Sequence, residues 1–306
     1  MESTTRVRCL LARAALPLVT LLAAACSPGG EPAPSEWRDQ AHRPSEVAGV
    51  GWELVPDLDL EVEGMRLRTN SIGARDGEPV EGDDVFRVAV MGGCFAFGLG
   101  LDGEAAWPRR LEREMTASIL VMGRTVDFLD LAVCGHDAPR QVALLERRGL
   151  DLDPWLAVLE HSLEDPAAPL TASLRDLAGS PPVSFAELHD TSGEPWQAMG
   201  EAWGRARELC AARRIPLMLV VVPRLDGGAW EDYPFRALHA QVTAEGRRRG
   251  LVVLDLLERF EAEPPASLVT AGERPRPSAR AHEIAADAFK RLLYSSGALT
   301  QILEAH

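Results

Sequence analysis

The stretch that decides the fold is Arg87-Val-Ala-Val-Met-Gly-Gly-Cys-Phe-Ala-Phe-Gly-Leu-Gly100. It begins inside a short apolar run that is bounded by turn residues, and four similar runs follow along the chain. The five runs are Phe86–Met91, Val126–Val133, Trp155–Glu160, Ile215–Val222 and Leu251–Leu256. Continuous apolar runs of this length are typical of strands that are buried on both faces, as in a parallel sheet.

The segments between these runs carry apolar residues at helical spacing. The pattern is clear at Trp107, Leu111 and Met115, and it returns near the end of the chain. Strands that alternate with helices predict βαβ units with right-handed crossovers. We therefore predict a three-layer α/β/α sandwich around a central parallel five-stranded sheet. Ligands of such sheets bind at the carboxyl ends of the strands.

Four segments of the chain resemble the sequence blocks of SGNH (GDSL-type) hydrolases, and they come in the family's order. The segments are Arg87–Gly100 with Trp107-Pro108 after it (block one), Leu131–Gly135 (block two), Pro154–Asp165 (block three) and Arg276–His282 (block five). Upstream, Asn70–Arg75 matches a β-rich extension of secreted members. The resemblance covers about residues 55–295 and implies the flavodoxin-like fold of that family.

Members of that family hydrolyse acyl esters with a serine nucleophile, and the resemblance implies which positions here correspond to their catalytic groups. Cys94 stands at the nucleophilic serine, Gly135 at the oxyanion glycine, Glu164 at the oxyanion asparagine, Glu273 at the aspartate and Arg276 at the histidine base. Gly135 keeps the family's residue, whereas the other four positions are changed.

These changes have chemical consequences. A cysteine thiolate is a good nucleophile, but the guanidinium of Arg276 has no lone pair with which to accept a proton. Glu164 places an anion where negative charge would develop during acyl transfer. The resemblance therefore predicts a catalytically degenerate site with three open interpretations: an ion-pair plug of Arg276 with Glu164 or Glu273, a site for a polar or charged ligand, or rewired catalysis.

Rewired catalysis needs a new general base for Cys94. His136 is the alternative base, because it directly follows Gly135. The competing interpretation is that Asp137 caps a helix beginning at Ala138-Pro139 and that His136 is an ordinary loop residue.

Other residues have structural and chemical interpretations side by side. We expect His161 and His282 to be structural. A disulfide between Cys94 and Cys134 is one alternative if the protein lies in an oxidising compartment. The resemblance implies that both residues line the cleft, because blocks one and two do so in the family.

Composition excludes several classes of protein. Lys plus Arg is 32 and Asp plus Glu is 46, which gives a net charge of −14 and argues against nucleic-acid binding. Five cysteines are too few and too scattered for a disulfide scaffold or a zinc ribbon. His136, His161 and Glu164 have no metal-motif spacing, so we predict neither a metal nor another cofactor.

The N-terminus predicts export. Residues 1–25 place basic residues before an apolar stretch of about 11 residues, as in a signal peptide. The segment Ala23-Ala24-Ala25-Cys26 resembles a lipobox, which implies a diacylated Cys26; an ordinary cleavage site is the alternative. We then expect a flexible tether over 26–48, a β-rich extension over 49–85, and a hydrolase-like domain over 86–306 with an insertion at 166–194.

The sequence thus predicts a lipid-anchored protein of a bacterial cell envelope, periplasmic or at the outer membrane. Its first functional interpretation is a pseudoenzyme that binds a glycan, a lipid or a protein partner, or that has a structural role. The alternative is an acyl-ester hydrolase or acyltransferase that uses Cys94 with His136.

Overall fold

The computed structural model describes residues 36–62, 64–117, 124–163, 189–225, 228–271 and 275–305. The predicted signal peptide, Cys26 and most of the predicted insertion lie outside these ranges. No helix within them is both long enough and apolar enough to span a bilayer.

An N-terminal extension precedes the main sheet. It contains helix α1 (Glu36–Ala41) and two small antiparallel sheets. The first sheet pairs β1 (His42–Pro44) with β2 (Trp52–Leu54), and the second pairs β3 (Asp59–Val62) with β4 (Met65–Arg68). Strands β2 to β4 lie in the range that we predicted to be β-rich.

The tether predicted to run to residue 48 is ordered from Glu36 onward. Trp37 is 1% exposed and Ala41 is fully buried, and both belong to the apolar cluster that includes Phe86 and Val88 of the main sheet. The composition of this segment, rich in proline, serine and charge, indicated a linker. Two apolar residues at i and i+4 are enough to dock one helical turn when the core offers a place for them.

Five parallel strands form the central sheet, which confirms the predicted fold. The strands are β5 (Val85–Met91), β6 (Thr125–Asp130), β7 (Leu156–Ser162), β8 (Leu217–Val222) and β9 (Val252–Asp255), in the spatial order β6-β5-β7-β8-β9. Val90 pairs with Asp130 on one side and with Val158 on the other. β5 is therefore an inner strand, and its carboxyl end lies among those of its neighbours.

Helices cover both faces of the sheet. They are α2 (Cys94–Phe97), α3 (Trp107–Thr116), α4 (Ala138–Arg147), α5 (Glu194–Ala212), α6 (Arg236–Arg248), α7 (Leu257–Phe260), α8 (Ala279–Ser295) and α9 (Ala298–Ala305). Alternate residues of β5 point to opposite faces. Val88 and Val90 pack with α3 and α8, whereas Ala89 and Met91 pack with α4 and α5, which completes the three layers.

We expect Trp37→Ala to lower the free energy of unfolding by about 3–5 kcal/mol, because it empties a buried aromatic site. Chemical denaturation of the two proteins measures the difference. Gln40→Ala, on the exposed side of the same helix, is the matched control and should change stability by no more than about 0.5 kcal/mol. Equal stabilities of the two variants would contradict an integral role for α1.

Candidate functional site

Cys94 lies at the carboxyl end of the inner strand β5. The strand ends at Met91, Gly92 and Gly93 form the turn, and Cys94 begins α2. A Cβ atom on Gly92 would lie 2.6 Å from the Cβ of Ala96, so only glycine lets the chain turn this sharply against its own helix. The side chain of Cys94 is exposed at this position.

The block-two loop meets Cys94 from the neighbouring strand. The N–H of His136 donates to the carbonyl of Val133 at 3.0 Å, which closes a tight turn with Cys134 and Gly135 at its corner. Gly135 has a φ of 85°, the left-handed conformation that this turn position requires. Cys134 and the backbone N–H of Gly135 lie close enough to the sulfur of Cys94 to lower the pKa of its thiol.

These contacts lower the pKa of the Cys94 thiol. The hydrogen bond with Cys134 is the largest cause, and the positive charge of Arg38 on α1 adds to it; burial and the carboxyl of Glu160 oppose it. Burial raises the pKa of Cys134 well above its ordinary value. Of the two thiols, Cys94 is therefore the one whose thiolate form is favoured.

A buried carboxyl lies beneath the turn. Glu160 on β7 is 1% exposed, and its Oε1 accepts the N–H of Gly93 at 3.1 Å. Burial raises its pKa to about 7, although the backbone N–H groups of the turn and of α2 oppose the shift. Glu160 thus ties β7 to the turn that presents Cys94.

A second buried carboxyl, Asp130, lies at the end of β6. Its Oδ1 accepts the N–H of Ala132 at 3.2 Å. Burial raises its pKa to about 7, the guanidinium of Arg75 opposes the shift, and Glu160 adds to it. Our sequence analysis assigned no role to Asp130 or Glu160. The sequence signal for both carboxyls is an acidic residue inside an apolar run. A buried strand accepts a carboxyl only where hydrogen bonds or a neutralising proton offset the cost of removing it from water.

His136 lies away from the sulfur of Cys94. Its Nε2 makes a 2.8 Å hydrogen bond to the carbonyl of Trp52, and the Trp52 ring packs edge-on against it. Burial lowers the pKa of His136 to about 3. Asp137 caps α4 through the N–H of Arg140 at 3.1 Å. The structure therefore argues against His136 as the base and agrees with the competing interpretation of a structural loop residue.

The other two imidazoles near the blocks are also buried. Nδ1 of His282 accepts the N–H of Trp107 at 3.1 Å, and its ring stacks on Phe95 at 4.4 Å between centroids. His161 packs edge-on against Trp203 at 5.5 Å. Burial lowers the pKa of each histidine to about 3. Both are neutral at physiological pH and occupy packing positions, as expected from the sequence.

Arg276 reaches the same end of the sheet. Its N–H donates to Oγ1 of Thr270 at 3.1 Å, and its carbonyl accepts the Thr270 N–H at 2.8 Å. Its side chain lies over Gly100, where a Cβ would come within 2.9 Å of the Arg276 Cδ. Glu164 and Glu273 lie outside the described residues, so the predicted ion-pair plug stays a prediction.

The N-terminal extension supports both loops of the site. Trp52 Nε1 donates to the carbonyl of Cys134 at 3.3 Å. The buried guanidinium of Arg75 donates to the carbonyl of Gly98 at 2.9 Å and also to those of Phe97 and Leu101, directly after α2. The extension thus fixes the loop on each side of Cys94.

One group of carboxylates, Asp76, Glu112 and Asp127, has the geometry for a metal ion among the described residues. Arg109 already forms ion pairs with Asp76 and, at 2.6 Å, with Glu112. Burial raises the pKa of Asp76 to about 8. A proton and a guanidinium therefore compensate this negative charge.

No protein-family model matches this chain, and no curated protein does. Solved structures with a similar fold include a G-D-S-L family protein from Desulfitobacterium hafniense DCB-2, at 12% identity and a TM-score of 0.47 over 68% of this chain and 99% of that one. TesA is a further example, at 15% identity and a TM-score of 0.48 over 68% of this chain and 97% of that one. Another is a mutant of the acetyl-xylooligosaccharide esterase Axe2 from Geobacillus Stearmophilus, at 16% identity and a TM-score of 0.44 over 68% of this chain and 93% of that one. The likeness concerns the fold and assigns no activity.

We expect the free energy of unfolding to fall as the pH rises from 6.5 to 8. A carboxyl with a raised pKa holds its proton more tightly in the folded chain, so its stabilisation is lost as the pH rises through the folded pKa, about 7 for Glu160 and Asp130. For Glu160 the loss runs from its ordinary pKa of 4.5 to the folded value of about 7 and totals roughly 3 kcal/mol, of which about 1 kcal/mol falls between pH 6.5 and 8. The buried histidines act below pH 6.5, where the unfolded chain binds protons that the folded chain does not. There they lower the free energy of unfolding as the pH falls.

Denaturation at several pH values measures this slope. Glu160→Gln should make the slope near pH 7 shallower by about half a proton, whereas Glu258→Gln on the exposed side of α7 should leave it unchanged. Parallel slopes for the parent and Glu160→Gln would show that Glu160 is ionised in the folded protein.

Proposed function

We propose that this chain is an SGNH-hydrolase-like pseudoenzyme of the bacterial cell envelope, which binds a glycan, lipid or protein partner and does not turn over esters. One observation carries the proposal: within the described ranges, no hydrogen bond joins an imidazole to the sulfur of Cys94, and His136, the candidate base, is bonded to the carbonyl of Trp52 at 2.8 Å. A nucleophile of this fold needs a positioned base for turnover.

The imidazoles close to the site are unsuited to that role. His136, His161 and His282 all have pKa values lowered to about 3 by burial. Two of them have hydrogen-bond partners on Trp52 and Trp107. At the position that corresponds to the family's base, Arg276 has no lone pair with which to take a proton.

Stabilisation of the oxyanion is weakened as well. The N–H of Gly135, which corresponds to an oxyanion donor of the family, lies close enough to the Cys94 sulfur to lower the pKa of its thiol. A donor contributes to acyl transfer when it faces the position of the developing oxyanion, and its loss costs about 3–4 kcal/mol. This donor favours the Cys94 thiolate, and ester turnover still needs a base that accepts and returns a proton.

We expect the purified protein to show no catalytic turnover of p-nitrophenyl acetate or butyrate beyond that of Cys94→Ala. A single acylation of the exposed thiol is compatible with the proposal, because release of the acyl group needs the missing base. Product formation that continues past one equivalent distinguishes turnover from acylation.

Cys210→Ala is the matched control, because Cys210 is a buried thiol on α5 remote from this loop in sequence. Sustained turnover in the parent and in Cys210→Ala, but not in Cys94→Ala, would overturn the proposal. It would establish the alternative, a Cys94-dependent hydrolase or acyltransferase.

The envelope location rests on the sequence of the N-terminus. If Cys26 carries the lipid, Cys26→Ser should abolish labelling of the expressed protein by radioactive palmitate and release it from the membrane fraction. Cys9→Ser, a change in the basic part of the predicted signal, should retain both. Labelling of the Cys26→Ser protein would exclude this site of lipid attachment.

A further inference from the structure

We propose that Cys94 and Cys134 form a redox-active dithiol, which exchanges with small-molecule or protein disulfides at the position of the family's nucleophile. The pair is reduced in this structure.

The backbone brings the two cysteines together. Val90 on β5 and Asp130 on β6 are paired residues of adjacent parallel strands. After them, the N–H of Leu131 donates to the carbonyl of Val90 and that of Val133 to the carbonyl of Gly92, each at 3.0 Å. The two chains therefore stay in register as they leave the sheet. Each cysteine follows four residues after its paired residue, and each thiol alters the pKa of the other, as neighbouring sulfurs do.

The two thiols differ as an attacking and a resolving thiol must. Cys94 is exposed at the start of α2, where an external disulfide has access to it. Cys134 is 3% exposed, so a large disulfide reaches it only through Cys94. The N–H of Gly135 and the charge of Arg38 favour the thiolate on Cys94, in the manner of reactive cysteines beside cations and backbone donors.

The exchange proceeds in two balanced steps. The Cys94 thiolate attacks one sulfur of an external disulfide R–S–S–R, which forms a Cys94–S–S–R bond and expels R–S⁻. The Cys134 sulfur then attacks Cys94, which forms the Cys94–Cys134 disulfide and expels the second R–S⁻. The proton of the Cys134 thiol passes to a leaving thiolate. Starting from the Cys94 thiolate and the Cys134 thiol, the protein gives up two electrons and one proton, and the external disulfide is reduced to one thiol and one thiolate.

The exchange is tested on the full chain carrying Cys9→Ser and Cys26→Ser, which leaves Cys94, Cys134 and Cys210. The protein is equilibrated with glutathione disulfide, alkylated with iodoacetamide and analysed by intact mass and peptide mapping. We expect one Cys94–Cys134 disulfide, with Cys210 in the thiol form. Two free thiols at positions 94 and 134, or a stable glutathione adduct on Cys94, would overturn the proposal.

Variants separate the roles of the two sulfurs. With Cys134→Ala, the reaction should stop at the glutathione adduct on Cys94, and the pH profile of Cys94 alkylation should move to higher pH because the S–H donor is lost. Cys94→Ser should form neither product. Cys210→Ser, the matched loss of a buried thiol, should form the same disulfide as the parent; failure to do so would contradict the assignment.

This test is independent of the proposed function. The disulfide is detected by mass, whether or not the chain turns over esters or carries a lipid. An esterase result that overturned the pseudoenzyme would leave the dithiol assignment in place, and the reverse also holds.

Discussion

The hydrogen bond from the Gly93 N–H to the buried carboxyl of Glu160 determines where Cys94 lies. It joins the neighbouring strand β7 to the turn after β5, in the sheet interior where an unpaired N–H would be costly. Gly92 is part of the same constraint, because a side chain there would collide with Ala96. The site is therefore built on the rigid interior of the sheet and not on a surface loop.

The extension before the sheet is a structural part of the site. Trp52 hydrogen-bonds to both sides of the block-two turn, through the carbonyl of Cys134 and through His136. Arg75 donates to three carbonyls of the loop after α2. These two residues hold the loops that flank Cys94, and α1 adds the charge of Arg38. A histidine used as packing between such elements is held away from the nucleophile that it would have to serve.

The proposed loss of ester turnover separates the scaffold of this protein from its chemistry. The sheet, the sharp turn and the glycine of block two are the features that a nucleophile of this fold requires. At the same place, Cys134, the N–H of Gly135 and the charge of Arg38 lower the pKa of the Cys94 thiol. That combination suits binding or thiol exchange better than acyl transfer, whose second half needs a base.

Sequence alone determined the layer architecture and the position of Cys94, because buried strands and amphipathic helices show their periodicity locally and Gly92-Gly93 marks the turn. It also located Gly135 and the Asp137 cap. Three features came from the tertiary structure: the docking of Trp37, the orientation of His136 toward Trp52, and the raised pKa values of Asp130 and Glu160. Each depends on which atoms from distant parts of the chain surround a side chain, and burial and hydrogen bonding at that range leave no periodic trace in the sequence.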